Sequence, residues 1–327
     1  MKILTLGFFD HLNVGDEQYK TTFPCLFPQH EFKFVNTLHK HDVDNCDAII
    51  LGGGNVIRKG FLNQLSKYHH KKIFAFSAST EGVPDQDISF FKHVYARDYH
   101  TIKVMQDKKI PCTFIPDVAM ILEGNAEAGK RWMRNKFDEE KLDLYEKTIT
   151  VVINGYMLNG GLGGLARDAF TFIKFSYDLA RTIDETPASF IFLPFGTKLP
   201  HDDRVANSWV ASKCKYWNKN YVEFDRMDYQ TILNIIAASA MIISSRLHSS
   251  IFSFTTGTPF IDITHHSKNE LFLEMIERKN NSISFWNMDN TLLKNKICKR
   301  IDLPKETEAE KHRKAIWETV SAIRFDK

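Results

Sequence analysis

The sequence predicts an α/β protein built of two Rossmann-like domains facing a cleft. Three observations carry this expectation. Short apolar runs alternate with longer amphipathic stretches along most of the chain, as in parallel sheets covered by helices on both faces. The series occurs twice, interrupted by a charged stretch at 125–147. A length of 327 residues also exceeds one ordinary core and suits two domains of roughly 150 residues each.

In the first series the strand candidates lie at 2–7, 31–35, 48–51, 72–76, 93–96 and 112–115, with helical stretches at 57–67 and 99–107. The stretch 125–147 turns charged and helical, with Trp132 and Phe137 as its apolar aromatic positions. It is expected to close the first domain. The second series begins with a strand at 148–153, a long helix at 165–183 and a strand at 189–193. Helices at 201–214 and 229–237 follow, then a strand at 241–244, a helix at 249–256, a strand at 259–263 and a helix at 270–277. The tail 305–323 is a charged helix with Ala315, Trp317, Val320 and Ile323 at helical spacing. The expected domains are therefore 1–147 and 148–304, with a terminal helix in 305–327.

Composition excludes several function classes. Hydrophobic residues make up 43% and charged residues 25%, as in ordinary soluble proteins. A net charge of +3, from 43 basic and 40 acidic residues, is too weak a field to mark nucleic acid as the main partner. It leaves room for a local cationic site for a small anion. The cysteines Cys25, Cys46, Cys112, Cys214 and Cys298 are scattered, with no spacing of a metal knuckle or redox pair. The start MKILTLGFFD is too short an apolar run for a secretion signal, and nothing approaches the ~20 apolar residues of a membrane helix. A cytoplasmic protein is expected, with peripheral membrane contact if its substrate sits on a lipid carrier.

Ligands of open α/β sheets bind beyond the carboxyl ends of the strands. The segments in those places are Asn13-Val14-Gly15-Asp16-Glu17, Gly52-Gly53-Gly54-Asn55, Arg97-Asp98, the glycine-rich loop 154–164, and Ser245-Arg246-Leu247-His248. The last is the most informative. Arg246 and His248 fall where an apolar strand turns into a helix, so helix N–H groups and a guanidinium fork converge on a place suited to carboxylate or phosphate. His248 can carry a proton near neutral pH. The competing reading pairs Arg246 with a carboxylate and makes His248 a helix cap. The triple glycine lacks the spacing of a dinucleotide fingerprint, and the 154–164 loop lacks the Gly-Lys-Ser/Thr of a P-loop. Lys268 begins a helix beside His265 and His266. Adjacent histidines without an acidic or thiol cluster do not make a metal site, so no metal is expected.

These residues carry a resemblance. The segment SSRLHSSIFSFTTGTPFIDITHHSK resembles the polysaccharide pyruvyl transferase family in its Ser-x-Arg-Leu-His-Ser, Gly-x-Pro and terminal lysine. NVGDE at 13–17, GGGN at 52–55, ARDYHT at 96–101 and PDVA at 116–119 are similar to further family elements, in the same order. Thr101 replaces a serine, and Pro116 falls one place early. The resemblance spans about residues 1–275 and is loose over 124–203.

The resemblance implies a GT-B-like fold and transfer of pyruvate from phosphoenolpyruvate to a sugar as a ketal, with no cofactor. It puts Arg97, Arg246, Leu247, His248 and Lys268 on donor-binding positions. A donor with a carboxylate and a phosphate suits three cations. His248 is then the expected general acid–base, and Asp16 or Glu17 the group that addresses a sugar hydroxyl. Asn13, Gly15, Gly53, Gly54 and Asn55 complete the acceptor or loop candidates. The acceptor is a 4,6- or 3,4-diol sugar, free or linked to nucleotide, lipid or polymer. The rival readings are a nucleotide-sugar glycosyltransferase of the same architecture and a non-catalytic sugar- or anion-binding module.

Overall fold

The computed structural model describes residues 1–327 except 83, 138–146, 158–165, 200–201, 217–218, 305–307 and 326–327. Outside the described residues lie most of the glycine-rich loop (158–164) and the first residues of the helices expected at 165, 201 and 305. The chain divides into two units, Met1–His11, Gly15–Leu122 and Glu310–Lys327 in the first, and Leu12–Val14 and Glu123–Ala309 in the second.

The first unit is a six-stranded parallel sheet of β1 (Lys2–Leu6), β2 (Glu31–Val35), β3 (Ala48–Gly54), β4 (Lys72–Ala78), β5 (Phe91–Ala96) and β6 (Cys112–Phe114). Their spatial order is β2-β1-β3-β4-β5-β6. Every residue of the central strand β3 is buried, whereas the edge strand β2 is exposed or half-buried throughout. Continuous apolar sequence therefore marks the centre of the sheet. Helices α1 (Tyr19–Leu26), α2 (Lys59–Leu65) and α3 (Tyr99–Asp107) belong to this unit. Because β1 lies between β2 and β3, the winding direction reverses at β1/β3, and their carboxyl ends flank a switch point.

The second unit repeats the architecture with β7 (Thr148–Val152), β8 (Ser189–Phe192), β9 (Asn220–Val222), β10 (Met241–Ser244), β11 (Phe260–Thr264) and β12 (Ser282–Ser284). Their order is β12-β11-β10-β7-β8-β9, all pairs parallel, with the reversal between β7 and β10. Its helices are α4 (Ala126–Lys136), α5 (Ala166–Glu185), α6 (Asp203–Ala211), α7 (Tyr229–Ala238), α8 (Leu247–Thr255), α9 (Ser267–Met275) and α10 (Asn290–Arg300).

Helix α4, expected to close the first domain, packs instead on the second. A side chain at Gly129 would sit 2.0 Å from the Asn234 carbonyl oxygen, so only glycine admits α4 this close to α7. Asn234 also accepts the Asn125 N–H at 2.8 Å. The closing helix α11 (Ala309–Ala322) returns to the first unit. There the Arg313 guanidinium donates to the Met120 and Leu122 carbonyls at 2.9 and 3.2 Å, and Phe325 packs its ring on Phe27 and Phe74. Among the described residues no helix is long and apolar enough to cross a membrane.

Candidate active site

In the first unit the switch point is built around Tyr19. Its side chain is fully buried, and its hydroxyl donates to the Asp117 carboxylate at 3.0 and 3.2 Å. Arg97, at the end of β5, turns inward and pairs with Asp117 at 2.7 Å, while its Nε donates to Ser79 Oγ at 3.2 Å. Burial and the Asp117 carboxylate push the Tyr19 hydroxyl well above its ordinary range. Burial works against the Arg97 charge, but Tyr19 and Asp117 outweigh it and hold the guanidinium protonated. Asp98, next along the chain, caps α3 by accepting the Thr101 N–H at 2.7 Å. The ARDYHT segment is thus an inward arginine followed by a helix start.

The glycine turn closes over the same residues. Gly53 and Gly54 adopt φ of +76° and +88°, and a Cβ on Gly53 would lie 2.2 Å from the Tyr19 ring. A Cβ on Gly54 would lie 3.3 Å from the Asp16 carboxylate, which places the buried Asp16 against this turn. Asn55 Oδ1 is among the buried polar atoms without a hydrogen-bond donor in the described residues. Glu17 is engaged within its own loop, accepting the Asp10 N–H at 2.6 Å and pairing with Lys20 at 2.7 Å. Gly15 supplies a carbonyl to Gln18. Asn13 belongs to the second unit, where residues 12–14 are clipped by Val14 N–H to the Phe195 carbonyl (2.8 Å) and an Asn13–Gly196 bridge.

In the second unit Arg246, Leu247 and His248 follow β10 at the switch point, and Lys268 follows the neighbouring β11 in α9. Ser244 Oγ accepts the Arg246 N–H at 3.0 Å and donates to the Arg246 carbonyl at 2.9 Å, a local loop that ends β10 and starts α8. Arg246 occupies the N-cap of α8, but its side chain does not cap it. The guanidinium turns instead to the fully buried Asp203, with Nε donating to Oδ2 at 3.0 Å and Nη2 to Oδ1. Leu247 is buried beneath the turn, whereas His248 and Lys268 are half-buried in the first turns of α8 and α9.

Two of these cations, Lys268 and Arg246, act on the buried side chain of His265. Burial, then His266, Lys268 and Arg246, push its pKa down to about 3, so the ring is neutral. Its Nε2 lies 3.4 Å from the Asn154 amide nitrogen, and the His266 ring faces Tyr156. Among the described residues no group of three His, Cys, Asp or Glu side chains is placed to hold a metal ion.

Two carboxylates escaped the sequence reading. Asp203 accepts the N–H groups of Gly155 (2.7 Å), Phe195 (3.0 Å) and Gly196 (2.9 Å) as well as Arg246. It therefore ties together the segments that follow β7, β8 and β10. Asp117 plays the corresponding part for Arg97 and Tyr19. The available signals were the paired Asp202-Asp203 before a helix and the aspartate of PDVA. Neither says which arginine it meets.

The profile of the polysaccharide pyruvyl transferase family matches residues 8–267. The chain belongs to this family. The match spans both switch points and ends one residue before Lys268. No curated protein matches the chain significantly. Among solved structures, UDP-N-acetylglucosamine 2-epimerase from Rickettsia bellii is 10% identical, with a TM-score of 0.60 over 98% of this chain and 95% of that one. The Methanocaldococcus jannaschii UDP-GlcNAc 2-epimerase, in complex with UDP-GlcNAc and UDP, is 8% identical, with a TM-score of 0.59 over 98% and 100%. The S. aureus MnaA–UDP structure is 11% identical, with a TM-score of 0.59 over 97% and 90%. At such identities the likeness establishes the fold, which is GT-B-like.

Proposed function

We propose that this pyruvyl transferase family member moves pyruvate from phosphoenolpyruvate onto a sugar diol as a ketal, releasing phosphate. The observation that carries the reading is the family match together with the grouping of Arg246 and Lys268 around His265, with His248 on the first turn of α8. In the second unit, Arg246, Lys268 and the N–H groups that open α8 address the donor's carboxylate and phosphate. Leu247 seats the turn. In the first unit, Asp16 addresses a sugar hydroxyl beside Gly53, Gly54 and Asn55, and Arg97 remains a proposed donor-binding cation.

The reaction adds one proton to C3 of the enol, forms two C–O bonds at C2 and breaks the C2–O bond to phosphate. Of the two hydroxyl protons, one balances C3 and the other leaves with phosphate. His248 is the proposed acid–base for these transfers. The free thiols, Cys46 buried and Cys25 and Cys298 exposed, support a reducing, cytoplasmic setting.

The test is incubation with phosphoenolpyruvate and a panel of 4,6- and 3,4-diol sugars, free and carrier-linked. Phosphate release and a ketal methyl signal in the proton NMR spectrum are expected. UDP release from UDP-sugars, with none of phosphate from phosphoenolpyruvate, would replace this reading by a glycosyltransferase.

A further inference from the structure

The second unit contains a cationic cavity at the end of its sheet opposite the switch point. It is a partly open cavity of about 340 Å³ where α8 ends and β11 begins, a volume at the small end of ligand sites. Its lining includes the cations Arg278, Lys299 and Arg300 and the apolar side chains of Phe254, Pro259, Phe260 and Leu303.

The cations come from two elements, and two of them have fixed partners. Arg300, the last residue of α10, donates to the Asn280 carbonyl at 2.9 Å and to Asn281 Oδ1 at 3.1 and 3.3 Å. Lys296, one turn back, donates to the same Asn280 carbonyl at 2.5 Å. Arg278, beyond α9, pairs with the exposed Glu308 at 3.0 Å. Burial and Arg278 together lower the Arg300 pKa, and burial, Arg300 and Lys299 lower that of Lys296. Like charges are thus held close enough to oppose one another. Basic residues in the last turn of α10 complement its dipole. That purpose accounts for Lys299 and Arg300, but not for their sharing one cavity with Arg278 from another element and with apolar side chains.

We infer that this cavity is a binding site for a small phosphorylated compound with a flat apolar body, its phosphate on Arg278, Lys299 and Arg300 and its body against Phe254, Pro259 and Phe260. Guanidinium forks hold a phosphate through paired N–H donors, and an incoming dianion relieves their mutual repulsion. The site does not rest on the activity proposed above, and its residues are not those of either switch point.

Phenyl phosphate, which joins a dianion to one ring, is the probe. Titration calorimetry at low salt should show one molecule bound per chain, with an affinity unchanged by saturating phosphoenolpyruvate. Affinity should fall at least tenfold in Arg278→Ala and in Lys299→Glu. Lys299 is exposed, so the second variant keeps its fold, which circular dichroism verifies. Inorganic phosphate should bind at least tenfold more weakly than the probe. The inference is overturned by absence of binding, by unchanged affinity in both variants, by equal affinity for inorganic phosphate, or by displacement of the probe with phosphoenolpyruvate.

Discussion

Arg246 and Asp203 form a bidentate ion pair in which the aspartate is fully buried and also receives three backbone N–H groups. The pair joins the loop that carries His248 to the start of α6. Removing the carboxylate strands an arginine side chain that is 14% exposed, together with the N–H groups of Gly155, Phe195 and Gly196. Asp203→Ala should therefore cost about 3 kcal/mol in urea unfolding, the usual loss for breaking a buried pair from one side. Asp203→Asn keeps an acceptor and should cost less. Equal stability of Asp203→Ala and wild type would remove Asp203 as the tie among these loops.

His248 lies on the first turn of α8 and is half-buried. His248→Ala should fold normally, by circular dichroism, and lose at least about a hundredfold in rate of phosphate release, the ordinary scale of acid–base effects. Full retention of rate would refute its assigned role.

Gly53 is pressed against Tyr19 in a left-handed conformation. Gly53→Ala combines an unfavourable φ with a clash against a ring that has no room to retreat. The cost should be about 2 kcal/mol or more, seen as a lowered melting temperature. Gly60 offers the control, since a Cβ there meets nothing within 4 Å.

The pH dependence of stability has two opposed contributions in the second unit. His265 is depressed to about 3 by burial and its cationic neighbours, below its ordinary 6.5. Its contribution is present above pH 6.5 and is lost as pH falls toward 3. Asp262 is raised by burial from 3.8 to about 6, despite hydrogen bonds from Ser250, Asn269 and Thr264. Its contribution is present below pH 3.8 and is lost as pH rises through 6. Relative to His265→Gln, wild type should lose on the order of 2–4 kcal/mol between pH 6.5 and 3. Relative to Asp262→Asn, it should lose on the order of 2–3 kcal/mol between pH 4 and 7. Parallel stability curves for wild type and either variant would contradict the corresponding assignment.

Most strands of both sheets were legible in the sequence because a parallel strand buried on both faces must be a continuous apolar run. Ala48-Ile49-Ile50-Leu51 and Met241-Ile242-Ile243 are such runs. The strands that escaped, β9 and β12, are three residues long and lie at the two edges of their sheet. Half of the hydrophobic pressure is absent there, so Asn220-Tyr221-Val222 and Ser282-Ile283-Ser284 read as loop. Helix α1 escaped because Pro24 interrupts its pattern, and α10 because its apolar positions are few among many lysines.

The sequence by itself determined that two α/β series exist, which residues stand at the carboxyl ends of their strands, and to which family those residues belong. Each of these depends on local order along the chain. The tertiary structure alone decided where α4 and α11 pack, because that depends on Gly129 meeting Asn234 and Phe325 meeting Phe27 across long separations. It also decided the partners of the two arginines. Asp117 lies 20 residues from Arg97 and Asp203 lies 43 from Arg246. Such pairs are made by the order of strands in a sheet, which brings segments distant in sequence to one edge. The feature that suggested an anion site at Arg246 is thus also an ion pair with the buried Asp203.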